Sequence, residues 1–207
     1  MTDGEPRDWF DYWDATQAEF NEVFDRNPSI RGMVSGYLAE EKLKTMYLAD
    51  DRVSNLRSPD DHDRDKKADW IFEYEGHEIF CEVKSLQSNH VERTDTLDGE
   101  STWTGKYQCD ASDKREVTLP DGTDFETTCL VEGEFDILAI NLFEFGGEWR
   151  WAFARNEELP RTPYRGYDEE IRQYLIKGTM DITWPLEDDS PYYDNPWDVL
   201  EAETDLR

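Results

Sequence analysis

The sequence has only three cysteines, Cys81, Cys109 and Cys129, and none stands in a CxxC pair. An odd, scattered set supplies neither a disulfide framework nor a zinc knuckle. Cys81, inside the apolar run IFCEV, reads as a small core residue. The three histidines, His62, His77 and His90, are equally scattered and form no HExxH, so zinc-protease and serine-triad chemistries have no support. A glycine-rich phosphate loop and a Rossmann fingerprint are also missing. The longest apolar run, FDILAINLF, is about half the ~20 residues a membrane-spanning helix needs. The opening MTDGEPRDWFDYW is acidic where a secretory leader needs a basic start and an apolar stretch. The expectation is a soluble, cytoplasmic protein with no membrane partner. Basic charge is short as well: 22 Lys and Arg stand against 50 Asp and Glu, a formal net charge of −28.

What is there begins with that acidity. The acidic residues run along the whole chain rather than forming a tail, and arginine outnumbers lysine 14 to 8. Self-repulsion of this size destabilises a compact chain at low ionic strength, and concentrated salt screens it. The pattern is that of a protein from a salt-loving microbe with a high-salt cytoplasm. The rival reading is an acidic DNA mimic that occupies a nucleic-acid-binding protein. An aromatic content of 14% argues against disorder, and 207 residues suffice for a core without staples.

Along the chain, DWFDYWDATQAEFNEVFDRN has apolar residues at helical spacing (Trp9, Phe10, Trp13, Phe20, Phe24) and predicts one helix stopped at Pro28. SGYLAEEKLKTMYLA predicts a second, and NLRSPDDHDRDKKA a loop. ADWIFEYE and HEIFCEVKS predict strands around Gly76. Residues 86–104 read as a long loop or a poorly marked helix. GKYQC, REVTLPDGTDFETTCL and FDILAINLFEF predict strands, with a hairpin turn at Asp121-Gly122. EWRWAFARN predicts another strand, YDEEIRQYLIKG a short helix, and ITWPLEDDSPYYDNPWDVLEAE a stretch that is mostly loop. FDILAINLF is apolar on both faces, as a central strand covered by helices on both sides is. The fold class expected is α/β, a mixed central sheet flanked by helices. An N-terminal helical extension (1–30), a main domain (31–180) and an acidic C-terminal tail (181–207) complete the expected organisation.

The stretch DWIFEYEGHEIFCEVKSLQ carries the chemistry. With Glu75 and Gly76 as a two-residue turn, Tyr74 faces His77, Phe72 faces Ile79, Trp70 faces Cys81, and Asp69 faces Glu82. Lys84 lies two residues past Glu82, on the same face. Opposed carboxylates repel, and half-buried ones cost more. A divalent cation offsets this, since Mg²⁺ is typically held by one or two carboxylates plus waters and phosphate oxygens. A lysine beside it stabilises charge on a phosphate or orients attacking water. Acidic-x-Lys occurs three times, at Glu40-x-Lys42, Asp65-x-Lys67 and Glu82-x-Lys84, but only the last ends an apolar strand opposite an aspartate. The bland alternative for it is a salt-bridge rung on an exposed sheet face.

An aspartate opening one strand and Glu82-Val83-Lys84 closing the next resembles the PD-(D/E)xK nuclease superfamily, the fold of many restriction endonucleases. The resemblance implies a Mg²⁺-dependent endonuclease hydrolysing DNA, with Asp69 and Glu82 as metal ligands and Lys84 catalytic. It also implies a glutamate from a preceding helix. GYLAE supplies Gly36 and Glu40, with Glu41 as the alternative. Homodimers are common in such nucleases. The superfamily's usual proline is replaced by Ala68, while Pro59-Asp60 stands in a loop. The helix that normally follows the Glu-x-Lys strand is not visible between Ser85 and Phe135. In a nuclease, Lys106, Gln108, Lys114 and Arg115, together with the arginines of WRWAFARNEELPRTPYRGY, are candidates to contact DNA. Otherwise those cations neutralise neighbouring carboxylates. Asp136 is a further acidic candidate or a strand-edge charge. A binding protein that kept the fold without the chemistry is the remaining alternative.

Overall fold

Where the chain turns back at Glu75-Gly76, both residues have positive φ, +50° and +83°, as a tight two-residue hairpin turn requires. The computed structural model in which this is seen describes residues 7–59, 68–95, 99 and 101–206. Asp60, His62 and the Asp65-x-Lys67 tripeptide lie outside the described residues. The chain divides into two units, Met1–Leu38 and Ala39–Arg207.

In the first unit the expected single helix is two, α1 Trp9–Tyr12 and α2 Gln17–Arg26. Asp14 adopts φ +48°, which ends the first. Thr16 and Glu19 form a reciprocal capping box that starts the second. Pro28 begins α3 Pro28–Leu43 instead of stopping a helix. At a first helical position its missing N–H and fixed φ cost nothing.

In the second unit, the end of α3 passes into a π-helical turn, Lys44–Leu48. There follow β1 Val53–Arg57, β2 Trp70–Tyr74, β3 His77–Ser85, a 3-10 turn Ser88–His90, β4 Glu92–Asp95 and β5 Ser101–Gln108. Then come β6 Asp110–Thr118, β7 Asp124–Cys129, β8 Ile137–Asn141, β9 Trp151–Arg155, α4 Glu169–Arg172, β10 Thr179–Trp184 and α5 Pro196–Thr204. The central sheet has the order β1-β2-β3-β8-β9 and is mixed, with β3 and β8 parallel and the other pairs antiparallel. A second sheet, β10-β5-β4, and a β6-β7 hairpin complete the unit.

The fold is mixed α/β, a central mixed sheet with helices against it. All five residues of β8 are buried. One face of the sheet (Phe72, Ile79, Cys81, Ala139, Phe153) packs on Ala39 and Leu43 of α3 and on Val199 and Leu200 of α5. The other face (Leu138, Ile140, Ala152, Ala154) packs on Tyr107, Met180 and Ile182 of the second sheet. β8 is therefore covered by helix on one side and by strands on the other.

Three segments differ from their sequence reading. Residues 86–104 hold β4 and the first half of β5. All four residues of β4 are exposed, and β5 buries only Gly105 and Tyr107, so no apolar run marks them. Among the described residues, no α-helix lies between Ser85 and Phe135. Instead, β4 to β7 fill the connection between the parallel strands β3 and β8. Residues 181–207, read as mostly loop, contain most of β10 and all of α5, where Asn195 caps the helix and Pro196 opens it. The segment read as a loop from residue 55 begins inside β1. Among the described residues, no helix is long and apolar enough to cross a membrane.

Candidate active site

The hairpin pairs Trp70 with Cys81, Phe72 with Ile79 and Tyr74 with His77. At its open end the Asp69 N–H donates to the Cys81 carbonyl at 2.9 Å. The Asp69 carboxylate accepts the Val83 N–H at 2.7 Å through Oδ2. That bond clamps the aspartate against β3 at the level of Glu82. Glu82 is buried, 7% exposed, although it is charged. Its partner is Lys84, whose Nζ donates to Oε1 at 2.6 Å. Phe80, Glu82 and Lys84 share the face of β3 turned toward the second sheet, beside Leu138 and Ile140 of β8.

Glu40 reaches this end from α3. Its carbonyl accepts the Trp70 indole N–H at 3.2 Å, which ties the helix to the first residue of β2. Its negative charge, with that of Glu82, acts on Asp69. Burial comes first among the causes, and together they push the Asp69 carboxyl up from 3.8 to about 8, against the opposing pull of the Val83 N–H and Lys84. Burial alone lowers the Lys84 ammonium, but the charge and hydrogen bond of Glu82, helped by Asp69, overcome it and hold Lys84 above its ordinary range. Glu82 and Asp69 thus both act on Lys84, while Glu40 acts on Asp69.

The structure therefore brings Asp69, Glu82, Lys84 and Glu40 together. Glu41 turns instead to Lys44, 3.2 Å away on the helix surface. Asp136 stands one turn of the pleat from Glu82, where its Oδ2 accepts the Phe80 N–H at 2.7 Å and secures the start of β8.

Among the described residues, no three His, Cys, Asp or Glu side chains converge closely enough to form a protein-only metal cage. Asp69 and Glu82 still fit a Mg²⁺ ion, which takes one or two carboxylates and fills its remaining positions with water and substrate oxygens. Burial is the first cause of the raised Asp69 carboxyl, with the charges of Glu82 and Glu40 added to it, and a cation bound there would offset both.

The basic candidates separate. Lys106 and Gln108 project from the exposed face of β5. Lys106 lies 3.5 Å from Asp181, and Gln108 accepts from the Gln87 amide at 3.2 Å. The Gln87 N–H donates to the Lys106 carbonyl at 2.8 Å, and Leu86 bridges to Tyr107. The chain leaving Lys84 is thereby stitched to β5. Beside it a shallow groove is lined by Asn89, His90, Thr104, Lys106 and Thr183. Lys114 and Arg115 belong to the β6-β7 hairpin instead. Lys114 pairs with Glu126 at 3.5 Å. Arg115 grips Glu134 with both terminal nitrogens, at 2.5 and 2.6 Å, and also donates to the Cys129 carbonyl. Of the later arginines, Arg155 is buried among Glu157, Glu158 and Glu203, and Arg161 holds Glu132 at 2.8 Å. Arg150 pairs with Glu148 at 3.0 Å.

Two neighbours of the site carry no signal in the sequence. Cys109 is fully buried close enough to Lys84 and Glu82 to feel both charges, and burial pushes its thiol up to about 12, so it stands there as a neutral thiol. Tyr107 and Tyr192 meet hydroxyl to hydroxyl at 2.9 Å, 85 residues apart in the chain. Only the folding of β5 onto β10 brings such residues near, and no local pattern announces it.

No known family matches the chain, and no curated protein is similar to it. Among solved structures, a bacterial homing endonuclease matches over 84% of this chain and 96% of its own, at 14% identity and a TM-score of 0.40.

Proposed function

We propose that the protein is a Mg²⁺-dependent endonuclease that hydrolyses DNA phosphodiester bonds. The observation that carries this reading is the half-buried set at the open end of the hairpin. Glu82 is paired with Lys84, and Asp69 beside them is pushed to about 8 by burial first and by the charges of Glu82 and Glu40. A structural rung on an exposed face has no reason to bury Glu82 or to set Asp69 against two further carboxylates.

Asp69 and Glu82 are the groups that would hold the metal, and Mg²⁺ bound there supplies Lewis-acid polarisation of a phosphate oxygen and a more acidic water. Lys84 is held in its charged form and so cannot accept a proton from water near neutral pH. Its role is a fixed positive charge and N–H donor for the phosphate or the attacking water. Glu82 positions it. Glu40, fixed through Trp70, adds a third carboxylate to orient water at the same end.

The strand being cut would lie along Lys106 and Gln108 of β5, to which the chain leaving Lys84 is tied through Gln87, beside the groove that Lys106 lines. Asn89, His90, Thr104 and Thr183 supply neutral hydrogen-bonding groups there, and Lys106 is balanced by Glu92 and Asp181, so recognition is by hydrogen bonds more than by net charge. That suits concentrated salt, where counterion release gives little driving force. The acidity of the rest of the chain is solvent adaptation of a protein from a salt-loving organism. Arg115 has a structural task at Glu134. Lys106→Ala is therefore expected to weaken DNA binding with an unchanged thermal midpoint. Arg115→Ala is expected to destabilise the fold by roughly 1–3 kcal/mol, the cost of leaving a half-buried carboxylate unpaired. Thermal melts and gel-shift titrations of both variants decide the assignment.

The test of the reading is incubation of supercoiled, single-stranded and branched DNA with the protein and Mg²⁺ in concentrated KCl, with a chelator control. The expected result is nicking or linearisation that the chelator stops. Binding without cleavage on every form favours a fold kept for binding, and inhibition of a second DNA-binding protein with neither outcome favours a mimic.

A further inference from the structure

A chain with 50 acidic residues and 22 basic ones can match every cation it has with a carboxylate. In the second unit it nearly does. Among the described residues there, all but three lysines and arginines have a carboxylate within 4.0 Å. The three are Lys42, Arg165 and Arg172. Arg165 and Arg172 belong to the segment around α4, whose Tyr167 and Ile171 pack on the β6-β7 hairpin. Lys42 stands elsewhere, two residues past Glu40 on α3. It is exposed, and its Nζ lies over the half-buried ring of Trp149, 5.8 Å from the centroid and within cation–π reach.

Trp149 comes from the turn between β8 and β9. Gly146 and Gly147, at φ +93° and +81°, reverse the chain, and Trp149 returns onto Phe143 with ring centroids 4.7 Å apart. Because β8 runs parallel to β3, this turn leaves the sheet at the end that carries Asp69 and Lys84. The register sets the spacing. Ser85 pairs with Asn141, which donates to its hydroxyl at 3.2 Å, and Asn141 pairs with Trp151. Two strand spacings, about 10 Å, therefore separate β3 from β9 at this end. The end of α3 spans them, with the Glu40 carbonyl on the Trp70 indole at one flank and Lys42 on Trp149 at the other. The nearby carboxylates do not answer Lys42. Glu41 pairs with Lys44 and Glu148 with Arg150, and neither Glu144 nor Glu148 of the turn comes within 4.0 Å of it.

We propose that Lys42, held on Trp149, grips a backbone phosphate of the DNA that the site cuts, an inference that rests on the endonuclease reading above. The phosphate is not the scissile one. At about 10 Å from the site it lies roughly three nucleotides along the strand. Trp149 acts as a positioning residue, since its face holds the lysine stem and leaves the ammonium donors to the ligand. A phosphate contact fixes where the substrate lies and reads no sequence. Lys106 and Gln108 belong to the second sheet, which packs on the opposite face of the central sheet from α3. The two contacts therefore hold the substrate on both sides of Asp69 and Lys84.

Lys42→Met keeps an unbranched stem over Trp149 and removes the charge. Its binding to labelled duplex and branched DNA, with Ca²⁺ in place of Mg²⁺ and over a series of KCl concentrations, tests the contact. Lys42→Met is expected to weaken binding roughly tenfold, alike for unrelated sequences. The slope of log K against log [KCl] should flatten by about 0.9, the loss of one phosphate contact. Lys42→Arg restores the charge and should restore both affinity and slope. Lys114→Met makes the same change in net charge at a lysine that pairs with Glu126, and should keep the wild-type slope. Thermal midpoints of the Lys42 variants should match the wild type, because the side chain is exposed. A wild type that binds and cleaves DNA while Lys42→Met keeps its affinity and slope overturns this contact and leaves the endonuclease reading standing. Equal losses in Lys42→Met and Lys114→Met overturn it as well, by assigning the effect to net charge. A wild type that neither binds nor cleaves DNA in any form overturns both the contact and the reading it rests on.

Discussion

Asp69→Asn is expected to make the metal-free protein more stable while abolishing cleavage. The carboxyl is pushed from 3.8 to about 8 by burial, Glu82 and Glu40. Between those two values the folded chain holds a proton that the unfolded chain has released. Stability therefore falls as pH rises through that window, and above it the folded state carries the full cost of an ionised Asp69. An asparagine of the same shape still offers an oxygen to the Val83 N–H and removes the titration. The expected gain at pH 8 is roughly 2–4 kcal/mol, or about 5–15 °C in thermal midpoint for a chain of this size. The same comparison at pH 4 should show almost no gain. Mg²⁺ should raise the midpoint of the wild type at pH 8, because a cation stabilises the ionised carboxylates, and should do little for Asp69→Asn. Thermal melts at both pH values, with and without Mg²⁺, read all of this. Asp69→Asn destabilised at pH 8, or stabilised equally by Mg²⁺, contradicts the assignment.

Lys84→Met carries the second large effect. It leaves Glu82 buried without the partner that lies 2.6 Å away. Removing one member of a buried pair typically costs ~3–5 kcal/mol, most of it the orphaned charge. Since Lys84 is partly open to solvent, with its side chain 21% exposed, the expected loss at pH 8 is nearer about 2–3 kcal/mol. Glu82→Gln/Lys84→Met removes both charges and should recover most of that stability. Neither variant should cleave DNA. Urea titrations of the two single variants and the double variant measure the coupling. Recovery of stability without recovery of cleavage separates the site's chemistry from its contribution to the fold. Cleavage by Glu82→Gln/Lys84→Met sinks the mechanism.

The hairpin was legible because three local signals agree there: alternation along β2 and β3, a turn residue with no side chain, and a charge placed where the alternation turns polar. From these the register of Trp70 on Cys81 follows by arithmetic. β8 and β9 were legible as buried apolar runs. β4 and the start of β5 were not, since every residue of β4 is exposed and β5 buries only Gly105 and Tyr107, too little to leave a pattern. The break at Asp14 was missed because apolar spacing runs through it, while the capping box that starts two residues on, at Thr16, outweighs that spacing. α5 was hidden by the Asp- and Pro-rich run before it, although Asn195-Pro196 is a good helix start. At the site, Asp69, Glu82 and Lys84 lie within sixteen residues and share two strands, so their proximity was local information. Cys109 reaches Lys84 only through the packing of two sheets. Arg115 resembled a DNA contact because its partner, Glu134, is 19 residues away across a hairpin.

The most direct measurement is cleavage of supercoiled plasmid in concentrated KCl and Mg²⁺ by the wild type and by Lys84→Ala, with and without chelator. The predicted result is cleavage by the wild type alone, lost on chelation and reduced at least ~10³-fold by the substitution, as expected for removal of a charge aimed at the reacting phosphate. Equal cleavage by Lys84→Ala, or cleavage that survives the chelator, contradicts the proposed site.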